Sequence, residues 1–203
     1  MAEEHRAAII RELADWIAAV RRPHPVRVAI DGVDAAGKTT LADELAAVLR
    51  RRGREIVRLS VDSFHRPPGE RYRRGELSPE GYYHDSFDYA ALHEAIRGAR
   101  SSQGSILLVD GVFLLRPELV EQWDLRIFVS VEPDEALRRA LERDTAVFGS
   151  RAEAERRYRL RYQPGQRLYF AEARPLDAAD VVVVNDDPAR PAVRTGRAGP
   201  ALR

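Results

Sequence analysis

Cysteine is absent, so the chain has no disulfide framework, no thiolate metal site and no cysteine nucleophile. A long apolar run is missing too: residues 1–20 mix Glu, Arg and Asp with their apolar neighbours, unlike a signal peptide or a membrane span. Nor is there an excess of charge of either sign. Although 32% of the residues are charged, the formal net charge is only +1, so no overall basic field invites nucleic acid or an anionic membrane. These absences predict a soluble, cytoplasmic protein with neither nucleic acid nor membrane as partner. Lysine is nearly absent as well: Lys38 is the single one among 33 basic residues. A position that keeps lysine against so strong an arginine preference is one where a planar guanidinium would fail.

What is present alternates between two periods. Ala7, Ile10, Leu13, Ala14, Ile17 and Val20 recur at helical spacing and stop before Pro23. Residues 26–30 read as a short buried strand, and residues 38–52 as a helix with Leu41, Leu45, Val48 and Leu49 on one face, closed by Gly53. Further strands are predicted at 55–60, 105–110, 125–131 and 180–184, with helices at 88–99, 133–144 and 151–173 between them. That alternation predicts an α/β class, a five-stranded parallel sheet covered by helices on both faces. Trp16 and Trp123 read as packing residues. One domain over residues 1–187 is expected for a chain of 203 residues, followed by a mobile tail over 188–203 with too few apolar residues to pack. Residues 62–88 break the alternation and read as a long functional loop, held by Phe64, Tyr72, Tyr82, Tyr83 and Phe87.

Gly32-Val33-Asp34-Ala35-Ala36-Gly37-Lys38-Thr39 fits G-x-x-x-x-G-K-[ST] between a predicted strand and a predicted helix, the context a phosphate-binding loop requires. The glycines let backbone amides curl around a phosphate, and the helix N-terminus adds its positive end. Gly32, Asp34, Ala35, Ala36, Gly37, Lys38, Thr39 and Thr40 are the expected nucleotide cradle. Within it Lys38 would reach the β- and γ-phosphates, and Thr39 would bind Mg²⁺. Two acids end later strands, where open α/β sheets bind ligands. Asp62, after the second strand, could accept the proton of an attacking hydroxyl; Asp110, closing Leu107-Leu108-Val109, has the Walker-B placement on the magnesium side. Arg138, Arg139 and Arg143, then Phe148-Gly149-Ser150 and a further run of arginines, look like a lid of which only a few cations reach phosphate.

At this point residues 26–185 resemble the uridine/cytidine kinases, a branch of P-loop small-molecule kinases that also contains pantothenate kinase and phosphoribulokinase. The resemblance rests on Ile30-Asp31-Gly32 leading the loop, Ser60-Val61-Asp62-Ser63-Phe64-His65, Tyr83-His84-Asp85-Ser86-Phe87-Asp88, Asp110-Gly111-Val112, Arg139 to Asp144, and Ala179-Asp180-Val181-Val182-Val183. It implies a P-loop NTPase three-layer sandwich with a helical lid at about 144–160 and an acceptor-binding loop at about 62–88. It also implies ATP (or GTP) and Mg²⁺ as cofactors, with Thr39 and Asp110 on the metal. Asp62 would activate a 5′-hydroxyl, Lys38 and Arg143 would act on the phosphates, and Tyr83, His84 and Arg139 would contact the nucleoside. The chain departs from the family in having Asp110 where glutamate is usual, in a segment around His84 that is one residue shorter, and in Ala146-Val147-Phe148-Gly149-Ser150 within the lid. Three functions therefore stand open: a kinase of uridine or cytidine, a kinase of another small metabolite such as a vitamin, sugar or sugar phosphate, and a non-catalytic nucleotide sensor. Homo-oligomerisation is compatible with each.

Overall fold

The computed structural model describes residues 2–99 and 104–196. In chain order its elements are α1 (Ala2–Ala19), β1 (Val26–Gly32), α2 (Lys38–Arg51), β2 (Ile56–Ser60), α3 (Pro68–Arg71), α4 (Pro79–Asp85), α5 (Tyr89–Gly98), β3 (Ile106–Gly111), β4 (Leu125–Ser130), α6 (Pro133–Phe148), α7 (Arg151–Arg157), α8 (Gln163–Ala173), α9 (Pro175–Ala178), β5 (Val181–Val184) and β6 (Ala192–Thr195).

The Val, Ile and Leu runs form one sheet in the order β2-β3-β1-β4-β5-β6. β1 lies between β3 and β4, parallel to both, so its side chains face protein on either side and Val28, Ala29 and Ile30 are fully buried. On one face Leu13 and Ile17 of α1 and Leu41, Leu45 and Leu49 of α2 pack on Val28, Ile30, Leu108 and Ile127. On the other, Tyr83 of α4, Leu92 and Ile96 of α5 and Tyr169 of α8 pack on Ala29, Leu107, Val109 and Phe128. Each of the buried Val, Leu, Ile and Phe side chains contributes about 1.5–3 kcal/mol relative to exposure. Trp123 belongs to this second layer, where its indole N–H donates to the Leu114 carbonyl at 2.7 Å.

The structure differs from the sequence expectation in three places. The sheet has six strands: β6, inside the stretch expected to be a tail, pairs antiparallel with β5. An edge strand needs only backbone partners and one packed side chain, here Val193, so its low apolar content hid it. Residues 197–203, the rest of that expected tail, lie outside the described residues. The expected loop at 62–88 contains a 3₁₀ turn (Val61–Phe64) and the helices α3 and α4. Pro79 opens α4, and the Ser78 hydroxyl accepts from the Gly81 amide at 3.0 Å. Lastly, the single helix expected at 151–173 is α7 and α8 joined by a π turn over Tyr158–Tyr162.

Candidate active site

The C-terminal ends of β1, β2 and β3 converge on a cavity of about 360 Å³, with α6 and the π turn as its far wall. β1 runs directly into the phosphate loop. Gly37 ends that loop with φ 92° and serves as the N-cap of α2, a left-handed conformation that glycine tolerates and other residues resist. The Lys38 ammonium folds back to donate to the Val33 carbonyl at 2.7 Å. Burial pushes its pKa down, and Asp34, Asp31 and Asp62 partly restore it. On the other flank Asn185, buried at the end of β5, donates from Nδ2 to the Ala36 carbonyl at 2.7 Å. The loop is thus tied at both shoulders, and its Gly32 and Ala36 amides are engaged internally, by Asp31 and by the Val33 carbonyl.

Asp110 is buried, and its Oδ2 accepts the Thr39 hydroxyl at 2.7 Å. Its Oδ1 accepts no hydrogen bond and faces the Arg58 guanidinium at 2.9 Å, outside hydrogen-bond geometry. Arg58 also pairs with Asp43 at 3.0 Å. No cluster of three or more His, Cys, Asp or Glu able to hold a metal occurs among the described residues. Thr39 and Asp110 can therefore supply two oxygens, one of them an under-used buried carboxylate oxygen. That is the protein share Mg²⁺ takes when phosphates and water complete its shell.

Asp62 lies on the 3₁₀ turn after β2, at the cavity, and among the described residues its carboxylate has neither a hydrogen-bond nor an ion-pair partner. Opposite, Arg143 donates to both Asp144 oxygens, at 2.7 and 2.8 Å, and to the Tyr158 hydroxyl at 3.2 Å. Burial opposes the charge on Asp144, but the bonds from Arg143 and Tyr158 outweigh it and hold its carboxyl below the ordinary range. The pair orients a guanidinium beside the phosphate loop.

Lys38, Thr39, Asp62, Asp110 and Arg143, named from sequence, are therefore brought together around one cavity. Tyr83, His84 and Arg139 are not among its walls. Tyr83 is fully buried against Phe113 and Tyr169, and the Arg116 guanidinium covers its ring at 4.8 Å. His84 is exposed. Arg139 pairs with Glu135 and donates to the Asn185 and Asp186 carbonyls at 2.9 and 2.7 Å, clamping α6 to the segment after β5. The aromatic and acidic walls are instead His65, Tyr82, Phe87, Tyr158, Tyr162 and Asp144. Tyr82 donates its hydroxyl to Asp34 at 2.8 Å, and Gln166 donates to the same oxygen at 2.6 Å. The aromatic density of 62–88 was the available signal for Tyr82, whereas nothing in the sequence singled out Asn185 or Gln166.

No family model matches the chain. It is 27% identical over 150 residues to uridine-cytidine kinase B of Dictyostelium discoideum, covering 62% of this chain and 61% of that protein. Uridine-cytidine kinase A of the same organism is 26% identical over 158 residues, 64% of this chain and 30% of the relative. The chain thus spans less than two thirds of the length of either relative. A structure from Bacillus stearothermophilus, described as a possible uridine kinase, superposes with a TM-score of 0.70 at 22% identity, over 90% of this chain and 99% of the other. The two curated kinases support a uridine/cytidine kinase-like P-loop kinase relationship, and the Bacillus structure supports the fold. Of the residues the resemblance implied, the cavity gathers Lys38, Thr39, Asp62, Asp110 and Arg143. The aromatic residues at the cavity are not the ones the family resemblance implied.

Proposed function

We propose that the protein is a phosphotransferase that passes the γ-phosphoryl group of ATP or GTP to a hydroxyl of a small molecule, with the 5′-hydroxyl of uridine or cytidine the leading acceptor. The observation that carries this reading is the unpaired Asp62 carboxylate at the same cavity as Lys38 and Arg143. An acid without a partner, beside two cations suited to phosphate, is an arrangement for receiving a proton while negative charge moves across the gap.

The acceptor oxygen attacks the γ-phosphorus, and the bond from that phosphorus to the β-bridging oxygen breaks. The proton of the hydroxyl passes to Asp62. The loop amides and Lys38 hold the β- and γ-oxygens, and Arg143, steadied by Asp144 and Tyr158, meets the equatorial oxygens of the moving group. Thr39 and Asp110 would hold Mg²⁺, which neutralises charge on the bridging phosphates when bound. His65, Tyr82 and Phe87 give the acceptor end flat aromatic walls within an otherwise polar cavity.

A second acceptor class, a vitamin, sugar or sugar phosphate, is favoured by one observation: Tyr83 and His84, the expected base contacts, lie off the cavity. The test is nucleotide consumption against a panel of nucleosides, vitamins and sugars. Stimulation by pyrimidine nucleosides is the expected result; stimulation by another class selects the second reading, and none by any acceptor overturns both. Asp62→Asn should lower acceptor-dependent turnover by about 10²-fold or more while a nonhydrolysable ATP analogue still binds. Turnover equal to that of the wild type would remove Asp62 as the base.

A further inference from the structure

Arg161 lies in the π turn and is 2% exposed, yet among the described residues no carboxylate pairs with it. Its Nη1 donates to two backbone carbonyls, Glu76 at 3.2 Å and Ser78 at 3.1 Å, while its Nε finds no partner. The guanidinium carbon stands 5.0 Å from the Tyr72 ring centroid and 5.6 Å from that of Tyr82. A buried charge held only by carbonyls and aromatic faces is a costly arrangement, and an apolar side chain of similar length would fill the volume without that cost. What the guanidinium adds is register, because two fixed carbonyls and two ring faces leave it a single position. Ser78 is the cap of α4, so the position fixed is that of the helix bearing Tyr82.

The neighbouring residues give that register a use. Tyr158 and Tyr162, at the two ends of the π turn, line the phosphate cavity, and Arg161 between them grips the segment that carries the aromatic wall. Single π turns inside helices are frequent at functional sites. Arg157 makes a more exposed link to the same segment, 3.1 Å from Glu76. Through Tyr82 the connection reaches Asp34 in the phosphate loop.

We propose that Arg161 is a positioning residue for the acceptor: it locks residues 76–82 to the base of the lid, so that the Tyr82 wall and the phosphate loop hold one spacing. The inference rests on the phosphoryl-transfer reading for its kinetic consequence, but not for its structural one. Removing the lock weakens acceptor binding and leaves the nucleotide end intact.

The experiment compares the wild type with Arg161→Met, Arg161→Lys and Tyr72→Leu. It measures KM for the acceptor and for ATP, affinity for a nonhydrolysable ATP analogue, and amide hydrogen exchange over residues 72–85. Arg161→Met should raise the acceptor KM about tenfold or more while the ATP KM stays within about twofold, the loss expected for charge-assisted hydrogen bonds. Exchange over 72–85 should quicken and analogue affinity should hold. Arg161→Lys, which keeps the cation and one carbonyl contact, should restore part of the difference. Should Arg161→Met fail to fold, Tyr72→Leu removes one ring face only and must move the same quantities in the same direction by less. Equal change in both KM values, or unchanged exchange over 72–85, overturns the proposal. If the wild type transfers phosphate to no acceptor, the phosphoryl-transfer reading fails, and the exchange and analogue measurements still decide the role of Arg161.

Discussion

Ala35 holds φ 57°, a left-handed backbone that costs a residue with a Cβ about 1–2 kcal/mol. It sits in the phosphate loop between Asp34, whose carboxylate is engaged by Tyr82 and Gln166, and Ala36, whose carbonyl is engaged by Asn185. Contacts on either side hold the chain in a conformation that the residue itself resists. Ala35→Gly should remove that cost, offset in part by the greater freedom of glycine in the unfolded chain, for a net gain of about 0.5–1 kcal/mol. Thermal unfolding without nucleotide should then show a midpoint about 2 °C higher, and a lower midpoint would mean that Ala35 is not strained. The same scale explains why lysine survives at position 38. Its slim ammonium turns inward to the Val33 carbonyl within the loop, a point contact that a planar guanidinium fork does not reproduce.

At the scale of elements, α8 and α4 approach closely because Gly165 has no side chain. A Cβ there would stand 2.7 Å from Cδ1 of Tyr82 and 3.0 Å from the Pro79 carbonyl oxygen. Both neighbours are held, the ring by its bond to Asp34 and the carbonyl by the helix it opens, so Gly165→Ala should cost about 1–3 kcal/mol by overpacking. Chemical denaturation would measure the loss; a neutral result would mean that the two helices slide apart freely. Elements with a steady period were readable in the sequence: the central strands from their Val, Ile and Leu runs, α1 and α2 from their apolar faces, and the phosphate loop from its motif and its lone lysine. The aromatic wall of the cavity was not. Tyr82 and Tyr83 are adjacent, and which of them faces the cavity is decided by the phase of α4, a helix of seven residues too short to display a period. The π turn was equally hidden, because no residue type in Tyr158–Tyr162 marks the change of hydrogen-bond spacing from i+4 to i+5. Arg139 illustrates the converse: its place on α6 was legible, but its partners come from the segment after β5, which no local pattern connects to it.

At the scale of the whole molecule, Asp31 joins three elements that the chain keeps far apart. It ends β1 just before the phosphate loop, is fully buried, and accepts from the Gly32 amide at 2.6 Å, the Leu115 amide at 3.0 Å and the Tyr169 hydroxyl of α8. The strand, the segment after β3 and the return leg of the lid therefore meet on one carboxylate. Burial raises its pKa from 3.8 to about 6, against the pull of those three donors and of Lys38. Because the folded value lies above the unfolded one, the folded state takes up the proton more readily. The stabilisation from protonated Asp31 is complete below about pH 4 and is lost as pH rises through about 6, a change of roughly 2–3 kcal/mol. Other groups titrate across the same range, so the informative quantity is the stability of the wild type minus that of Asp31→Asn, which lacks the titration. Urea unfolding at intervals between pH 4 and 8 should show that difference falling with pH and levelling above about 7. A difference that is flat, or that rises with pH, would place the Asp31 pKa at or below its unfolded value. In that case the three donors outweigh burial, and the carboxylate would be a permanent anion beneath Lys38 throughout the physiological range.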